Sequence, residues 1–276
     1  MDRIRLIASD MDATLLDEQS QLPADFEETI HALAELGIRF APASGRPLYT
    51  LEAMFPTLQD ELVFIGDNGG AIRWKGQNLF TSEMSPEGWR ALNRLTREQG
   101  DIAVLCGLES AYVERPFAVH DAVLRHFYTK IEYVDRLEDV AAPADKFTIY
   151  LPQHNAQQAY DTVYASQRSI YSVAVAGECW VDIMNPGVHK GAALQTLGQL
   201  WGLPSESIMA FGDTYNDAEM LQTVRYGFLM ENGSELLRQK VPFLAPSHRE
   251  AGVMQVLHRV LAQNGCVCPE DFIPAH

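Results

Sequence analysis

Short apolar segments alternate with segments of helical periodicity at both ends of this chain, and that alternation constrains the fold more than any other feature. In the N-terminal part, strands are predicted at residues 4–8, 38–43 and 62–65, and helices open near Pro23 and Pro47. The order strand, helix, strand, helix, strand favours a parallel sheet with helices packed on its faces. The chain is therefore expected to be an α/β protein.

The middle of the chain departs from this alternation. A β-hairpin is predicted around Gly76, and residues 86–177 mix helices with short strands. The alternation then resumes with a predicted strand at residues 180–184 and continues towards the C-terminus. A chain of 276 residues is long enough for two unequal domains. We predict a discontinuous core of residues 1–83 and 178–276 and an inserted α+β domain of residues 84–177.

Composition excludes several classes of protein. The chain has 37 acidic and 21 basic residues, a formal charge of −16 that repels polyanions, so nucleic acid is not expected as a partner. The four cysteines are scattered, and Cys266 and Cys268 are too close together for a zinc ribbon.

No apolar stretch approaches the roughly 18 residues that span a bilayer, so no membrane association is expected. Acidic residues near the N-terminus disfavour a signal peptide, which makes the cytoplasm the expected location.

Two acidic side chains follow the first predicted strand, in the segment Asp10-Met11-Asp12-Ala13-Thr14. Ligands of open α/β sheets bind outside the carboxyl ends of the strands, so Asp10 and Asp12 lie over a candidate site. An aspartate at such a position also commonly supports the turn through its own backbone. The pair alone leaves both interpretations open.

A candidate anion site follows the second predicted strand, at Ser44-Gly45-Arg46-Pro47. A hydroxyl and backbone N–H groups at a helix N-terminus can bind an anion, and Gly45 would let an oxyanion approach the backbone closely. The alternative interpretation is that Ser44 is simply the N-cap of the next helix.

Two further motifs lie in the C-terminal part of the predicted core. Lys190 opens a helix, where the helix dipole disfavours a cation, so its ammonium faces either water or something negative. Asp213 ends the next strand and could join the two earlier aspartates in an oxygen cluster suited to a hard divalent cation. Asn216 and Asp217 either belong to the site or cap the helix that follows. Because all four motifs fall at one edge of the predicted sheet and supply complementary groups, together they indicate a single site.

The motifs carry a resemblance to a known family. In order, Asp10-x-Asp12-x-Thr14, Ser44-Gly45-Arg46, Lys190-Gly191 and Gly212-Asp213-x-x-Asn216-Asp217 resemble the four motifs of the haloacid dehalogenase (HAD) superfamily, in particular its Cof-like, type IIB sugar-phosphatase group. Asp67-Asn68-Gly69-Gly70 resembles a further stretch of that family before its cap. The resemblance implies a Rossmann-like, doubly wound parallel-sheet core with an inserted α+β cap domain, although the cap itself is similar only in position and size.

The resemblance also implies an activity and a set of roles. The chain would be a Mg²⁺-dependent phosphatase that hydrolyses small phosphorylated metabolites, such as sugar phosphates, through an aspartyl-phosphate. Asp10 would be the nucleophile and Asp12 the general acid and base. The remaining roles would be phosphate binding by Met11, Ser44, Gly45, Lys190 and Asn216, metal binding by Asp10, Asp213 and the backbone carbonyl of Asp12, and orientation of Lys190 or of a metal-bound water by Asp217. Arg46 and Asn68 are candidates for contact with the substrate or the cap, and a surface ion pair is the alternative for Arg46.

Two departures from the family pattern stand out. Position 13 is alanine where the family usually has glycine, which is tolerated unless the backbone there requires a positive φ. The turn at residues 228–233 is more acidic than the family's usual small-residue turn.

Two other functions remain open at this point. A phosphomutase would return the phosphoryl group to its substrate rather than to water, and a non-catalytic regulatory protein would only bind the phosphorylated metabolite. The substrate is also open, among sugar phosphates, flavin mononucleotide and pyridoxal phosphate, because loops of the cap decide it. The sequence leaves the oligomeric state open.

Overall fold

The computed structural model describes residues 1–275. Its strands in chain order are β1 (Asp2–Arg3), β2 (Leu6–Asp10), β3 (Arg39–Ala43), β4 (Val63–Gly66), β5 (Ala71–Trp74), β6 (Gln77–Thr81), β7 (Ile102–Gly107), β8 (Ala111–Glu114), β9 (Ile131–Val134), β10 (Ala144–Tyr150), β11 (Ser172–Val175), β12 (Trp180–Met184), β13 (Ile208–Gly212), β14 (Tyr226–Met230), β15 (Phe243–Ala245), β16 (Cys266–Val267) and β17 (Ile273–Pro274). Its α-helices are α1 (Phe26–Glu35), α2 (Leu48–Ala53), α3 (Pro86–Gln99), α4 (Asp121–Phe127), α5 (Ala156–Asp161), α6 (Lys190–Trp201), α7 (Ala218–Thr223), α8 (Glu235–Arg238) and α9 (Gly252–Ala262).

The core is a nine-stranded sheet in the order β17-β15-β14-β13-β2-β3-β4-β5-β6. The strands from β15 to β4 in this order are parallel, whereas β5, β6 and β17 are antiparallel to their neighbours. The chain order reverses between β13 and β2, and such a reversal opens a crevice at the carboxyl ends of the strands. The predicted α/β class and the hairpin around Gly76 are confirmed.

Side chains of the core sheet alternate between two hydrophobic layers. On β2, Ile7 packs into the layer that contains α1 and α9, and its neighbours Leu6 and Ala8 pack into the layer that contains α6 and α7. Because strand side chains alternate at a period of two, a strand covered on both faces reads as a continuous apolar run. This is why the segment before Asp10 is apolar at nearly every position.

The inserted cap is a six-stranded sheet in the order β11-β12-β10-β7-β8-β9. Its pairs are antiparallel except for β8 with β9. This arrangement confirms the predicted inserted α+β cap as part of the fold class.

Within residues 1–275, none of the helices combines the length and the apolar character needed to cross a bilayer.

The assignment of residues 180–184 to the core was wrong. This segment is β12, which pairs antiparallel with β10 and with β11 in the cap sheet. All five of its residues are buried, and a fully buried run does not reveal which of two sheets it belongs to. The domain boundaries stay a prediction, and the pairing of β12 favours a second boundary after Met184.

The loop after β2 carries backbone strain at Ala13. Its φ of 58° and ψ of 13° lie in the left-handed region, so the position does require the positive φ that glycine adopts most easily. The left-handed conformation costs an L-residue roughly 1–2 kcal/mol. The departure from glycine at this position is therefore a local cost to stability.

We expect Ala13→Gly to raise the free energy of unfolding by about 0.5–1 kcal/mol, because relief of strain exceeds the entropy that glycine loses on folding. Urea unfolding monitored by circular dichroism measures the change. The matched control is Ala32→Gly in the interior of α1, which should lower the free energy of unfolding by about 1 kcal/mol. A decrease in both variants would contradict the assignment of strain to position 13.

Candidate active site

The predicted site residues converge at the carboxyl ends of the parallel strands. Asp10 is the last residue of β2, Ser44 follows β3, and Asp213 follows β13. Together with cap residues they line a cavity of about 370 Å³. The predicted residues that line this cavity are Asp10, Asp12, Ser44, Gly45, Arg46, Asn68, Asp213 and Asn216. Lys190 and Asp217 are fully buried, and the Met11 side chain packs in the core, so its predicted role rests on its backbone N–H alone.

Lys190 binds carboxylates rather than water. Its Nζ donates to Oδ1 of Asp10 and, at 2.7 Å, to Oδ1 of Asp217. Burial by itself would lower the pKa of the Lys190 ammonium, but the charges of the two carboxylates outweigh burial and raise that pKa. The helix that begins at Lys190 is capped by His189, whose Nδ1 accepts from the backbone N–H of Ala192 at 3.1 Å. The cation is thus held at the end of the helix that disfavours it because two anions face it.

Asp217 organises the loop after β13. Its Oδ2 accepts from the backbone N–H groups of Asp213 and Thr214 at 3.1 and 3.2 Å. A Cβ on Gly212 would lie 2.5 Å from the Cβ of Asp217, so this close packing requires glycine at position 212. Asp217 therefore holds this turn and binds Lys190. Within the described part of the chain it makes no side-chain cap hydrogen bond at the N-terminus of α7, so its alternative as a cap of the following helix is not confirmed.

Asp213 lies in a buried and negatively charged environment. Burial, followed by the charge of Asp217, raises the pKa of the Asp213 carboxyl to about 6. Its Oδ1 accepts from Oγ1 of Thr14 at 3.3 Å. Burial also raises the pKa of the Asp10 carboxyl, with Lys190 acting in the opposite direction. A further positive charge beside these two carboxylates would therefore favour their ionised forms.

The donor set fits a divalent cation. Asp10, Asp213 and Asp217 offer carboxylate oxygens that all lie within 4.8 Å of one another. Three carboxylates against the one ammonium of Lys190 leave an excess of negative charge, and carboxylate oxygens are the ligands that Mg²⁺ prefers. Both oxygens of Asp217 already accept hydrogen bonds. Asp10 and Asp213 are therefore the two carboxylates of this cluster best placed to hold a metal.

Asp12 lies at the mouth of the cavity in an ion pair with Arg46. The Arg46 Nη2 donates to Oδ1 and Oδ2 of Asp12 at 2.8 and 3.1 Å. The Arg46 side chain is 12% exposed and that of Asp12 57% exposed. Arg46 thus forms the ion pair that was its alternative interpretation, but with another predicted site residue and as a largely buried group that lines the cavity. Its contact with substrate stays a prediction.

Ser44 is not the cap of the helix that follows it. The residue at the N-cap of α2 is Pro47, and Oγ of Ser44 instead accepts from the backbone N–H of Arg46 at 3.2 Å. The Ser44 side chain is buried and lines the cavity. This geometry is compatible with the predicted anion site and excludes the N-cap interpretation.

Cap residues complete the cavity, and sequence reasoning missed most of them. Lys146 on β10 donates from Nζ to the carbonyl oxygen of Gly45 at 2.5 Å and forms an ion pair with Asp67 at 3.0 Å. Asn68 donates from Nδ2 to Oδ2 of Asp182 on β12 at 2.9 Å, so this predicted residue does contact the cap. The available signal was the charged pair Asp145-Lys146 inside an otherwise largely apolar strand.

Comparison with known proteins identifies relatives of the whole chain. The family model described as haloacid dehalogenase-like hydrolase matches residues 7–257. The 5-amino-6-(5-phospho-D-ribitylamino)uracil phosphatase YbjI of Escherichia coli (strain K12) is 31% identical over 262 residues, which cover 94% of this chain and 96% of YbjI. The HMP-PP phosphatase of Cronobacter sakazakii (strain ATCC BAA-894) is 31% identical over 249 residues, 87% of this chain and 89% of the relative.

A solved structure shows the same fold. The protein SMU.1108c from Streptococcus mutans UA159 superposes with a TM-score of 0.85 at 28% sequence identity, and the match covers 94% of this chain and 99% of that one. The family resemblance inferred from the four motifs is therefore confirmed.

The carboxylate cluster predicts a response to Mg²⁺ that does not depend on turnover. At a Mg²⁺ concentration of 100 times its Kd, binding should stabilise the folded protein by about 2.7 kcal/mol and raise Tm by several degrees. Asp213→Asn should remove most of this shift, because the variant loses one of the two best-placed ligands. Differential scanning calorimetry with and without chelator measures it.

The matched control is Asp60→Asn, which changes an exposed aspartate outside the cavity and should keep the full Mg²⁺ shift. An equal shift in Asp213→Asn and in the control would contradict the placement of the metal at this cluster.

Proposed function

This chain belongs to the haloacid dehalogenase-like hydrolase family and is a phosphatase, and we propose that it hydrolyses small phosphorylated metabolites through a phosphoryl group carried on Asp10. The observation that carries the proposal is the position of Asp10, a carboxylate at the end of β2 that lines the cavity and accepts a hydrogen bond from the buried Lys190 ammonium. A carboxylate is a competent nucleophile towards phosphorus because the acyl phosphate it forms is itself reactive.

The first proposed step forms a bond between the Asp10 carboxylate oxygen and phosphorus as the ester oxygen leaves. The leaving oxygen takes a proton from Asp12. In the second step a water molecule attacks the same phosphorus, gives its proton to Asp12 and releases inorganic phosphate, which restores Asp10. General acid and base assistance of this kind contributes about 10²–10⁴-fold to the rate.

Asp12 must leave its ion pair to do this. Both oxygens of its carboxylate accept from Arg46, so in this contact neither oxygen is turned towards a leaving group or a water molecule. We propose that, on substrate binding, the Asp12 side chain turns away from Arg46. The 57% exposure of the Asp12 side chain supports this, because an exposed side chain can reorient without disrupting a packed core.

The remaining groups bind the phosphoryl oxygens and balance charge. We propose that these oxygens accept hydrogen bonds from Ser44, Asn216 and the backbone N–H groups of Met11 and Gly45. The Lys190 ammonium would balance the negative charge of Asp10. Asp217 keeps the Lys190 ammonium aimed at Asp10. Mg²⁺ held by Asp10, Asp213 and the Asp12 carbonyl would supply the positive charge that lets an anionic nucleophile meet an anionic ester.

Residues of the cap supply part of the lining of the cavity, and we propose that they face the organic portion of the substrate. We also propose that the cap excludes water during the transfer. The two relatives are named for different substrates, a ribitylaminouracil phosphate and HMP-PP. The proposal therefore extends to small phosphorylated metabolites as a class, with sugar phosphates and similar monoesters as candidates.

We expect Asp10→Asn to fold and to lose turnover of p-nitrophenyl phosphate by roughly 10³-fold or more, because the amide is not a nucleophile. Phosphate release in the presence of Mg²⁺ measures turnover, and circular dichroism checks the fold. Asp60→Asn serves again as the control and should keep wild-type turnover. Retained turnover in Asp10→Asn would remove Asp10 from the nucleophile role.

Labelled water separates the phosphatase from its two alternatives. Hydrolysis in H₂¹⁸O should place one labelled oxygen in each phosphate released, because water attacks phosphorus in the second step. A phosphomutase would instead return an unlabelled, isomeric ester, and a binding protein would release no phosphate above the Asp10→Asn background. Mass spectrometry of the phosphate distinguishes the three outcomes.

A further inference from the structure

The Asn232 side chain joins two loops beside the cavity of Asp10. Its Nδ2 donates to the carbonyl oxygen of Ala13 at 2.9 Å, and its Oδ1 accepts from the backbone N–H of His248 at 3.0 Å. An amide can make both contacts in only one orientation, because its nitrogen donates and its oxygen accepts. Asn232 belongs to the turn after β14. The amide is therefore held in a fixed orientation against the Ala13 carbonyl.

The same turn also holds the loop after β13. The backbone N–H of Ser234 donates to the carbonyl oxygen of Asp213 at 2.8 Å. A Cβ on Gly233 would lie 2.8 Å from that oxygen, so the close approach of the two backbones requires glycine. The turn is thus anchored to the Asp213 loop by its backbone, and Asn232 reaches the Ala13 loop from this fixed base.

The carbonyl that Asn232 binds belongs to the strained residue of its loop. Ala13 has a φ of 58°, a conformation that an L-residue avoids unless other contacts hold it there. The net contribution of one hydrogen bond is of the same order as this strain. Loss of the Asn232 contact is therefore sufficient to let Ala13 relax towards an ordinary backbone conformation. Because Asp12 directly precedes Ala13, that change would turn the peptide between them and displace the Asp12 carboxyl.

We propose that Asn232 is a positioning residue for the phosphatase reaction, because its amide holds the backbone of Asp12 and Ala13 in the conformation from which Asp12 can reach the leaving oxygen. This inference rests on the proposed function, in which Asp12 gives a proton to that oxygen. Asn232 lies outside the lining of the cavity. It therefore acts through the Ala13 backbone rather than on the substrate.

Two esters that differ mainly in their leaving group test this assignment. Phenyl phosphate releases a more basic oxygen than p-nitrophenyl phosphate and therefore depends more on a proton from Asp12. In the presence of Mg²⁺, Asn232→Ala should lower the ratio of kcat/KM for phenyl phosphate to that for p-nitrophenyl phosphate by about fivefold, because a displaced general acid harms the poorer leaving group more. Circular dichroism checks the fold, and Asn232→Ser replaces the alanine variant if that variant does not fold.

The matched control is Glu231→Ala. Glu231 precedes Asn232 in the same turn, is exposed, and lies outside the lining of the cavity. Its replacement should leave kcat/KM for both esters, and hence their ratio, unchanged.

A second comparison tests whether Asn232 acts through Ala13. Glycine adopts a positive φ without strain, so with glycine at position 13 the loop keeps its conformation better when the amide is lost. In the Ala13→Gly background, Asn232→Ala should therefore lower the ratio by less than about twofold. A merely structural role of Asn232 would instead lower kcat/KM for both esters equally, in either background.

Three results would overturn the proposal while leaving the phosphatase intact. They are an unchanged ratio in Asn232→Ala, an equal fall of the ratio in the Ala13→Gly background, and the same fall in Glu231→Ala. Absence of turnover of both esters by the wild-type enzyme would instead overturn the proposed function, and the role of Asn232 with it. The two failures are therefore distinguishable.

Discussion

The buried ammonium of Lys190 is the interaction on which the site depends. A cation removed from water is costly unless anions compensate it, and Asp10 and Asp217 do so at two sides. The contact ties three elements together, because Asp10 ends β2, Lys190 opens α6 and Asp217 follows β13. Burial raises the pKa of Asp10 and of Asp213, and the neighbouring carboxylates add to the rise. The same surplus of negative charge suits a metal.

A second buried ammonium plays a comparable part between core and cap. Lys146 lies on a cap strand, yet it binds the Gly45 carbonyl in the candidate phosphate-binding loop and the Asp67 carboxylate in the loop after β4. Because an unpaired buried charge is strongly destabilising, the cap is favoured in the position that satisfies Lys146. The cap residues that line the cavity are therefore held in register with the loops that carry Gly45 and Asp67.

Much of the core could be read from the sequence, and much of the cap could not. The alternation of apolar strands and helices predicted the parallel sheet. The polar residues at the ends of β2, β3 and β13 predicted where the candidate active site lies, because the carboxyl ends of parallel strands meet at one edge of the sheet. The assignment of residues 180–184 failed because burial on both faces looks alike in either sheet. Trp180 was missed as a cavity residue since it begins a buried strand, where an aromatic ring is ordinary. Lys146 was missed although the charged pair Asp145-Lys146 interrupts an otherwise largely apolar strand.

The sequence by itself determined which chemical groups stand at the strand ends: carboxylates, a hydroxyl, an ammonium and the glycines that let backbone approach closely. Local propensity and period are sufficient for that, because they act over a few neighbouring residues. Only the tertiary structure decided which of those groups meet. It paired Asp12 with Arg46, buried Lys190 between Asp10 and Asp217, and brought Phe127 and Trp180 to the cavity of Asp10. These contacts join residues far apart in the chain, and packing of two sheets, rather than any local pattern, sets their distances.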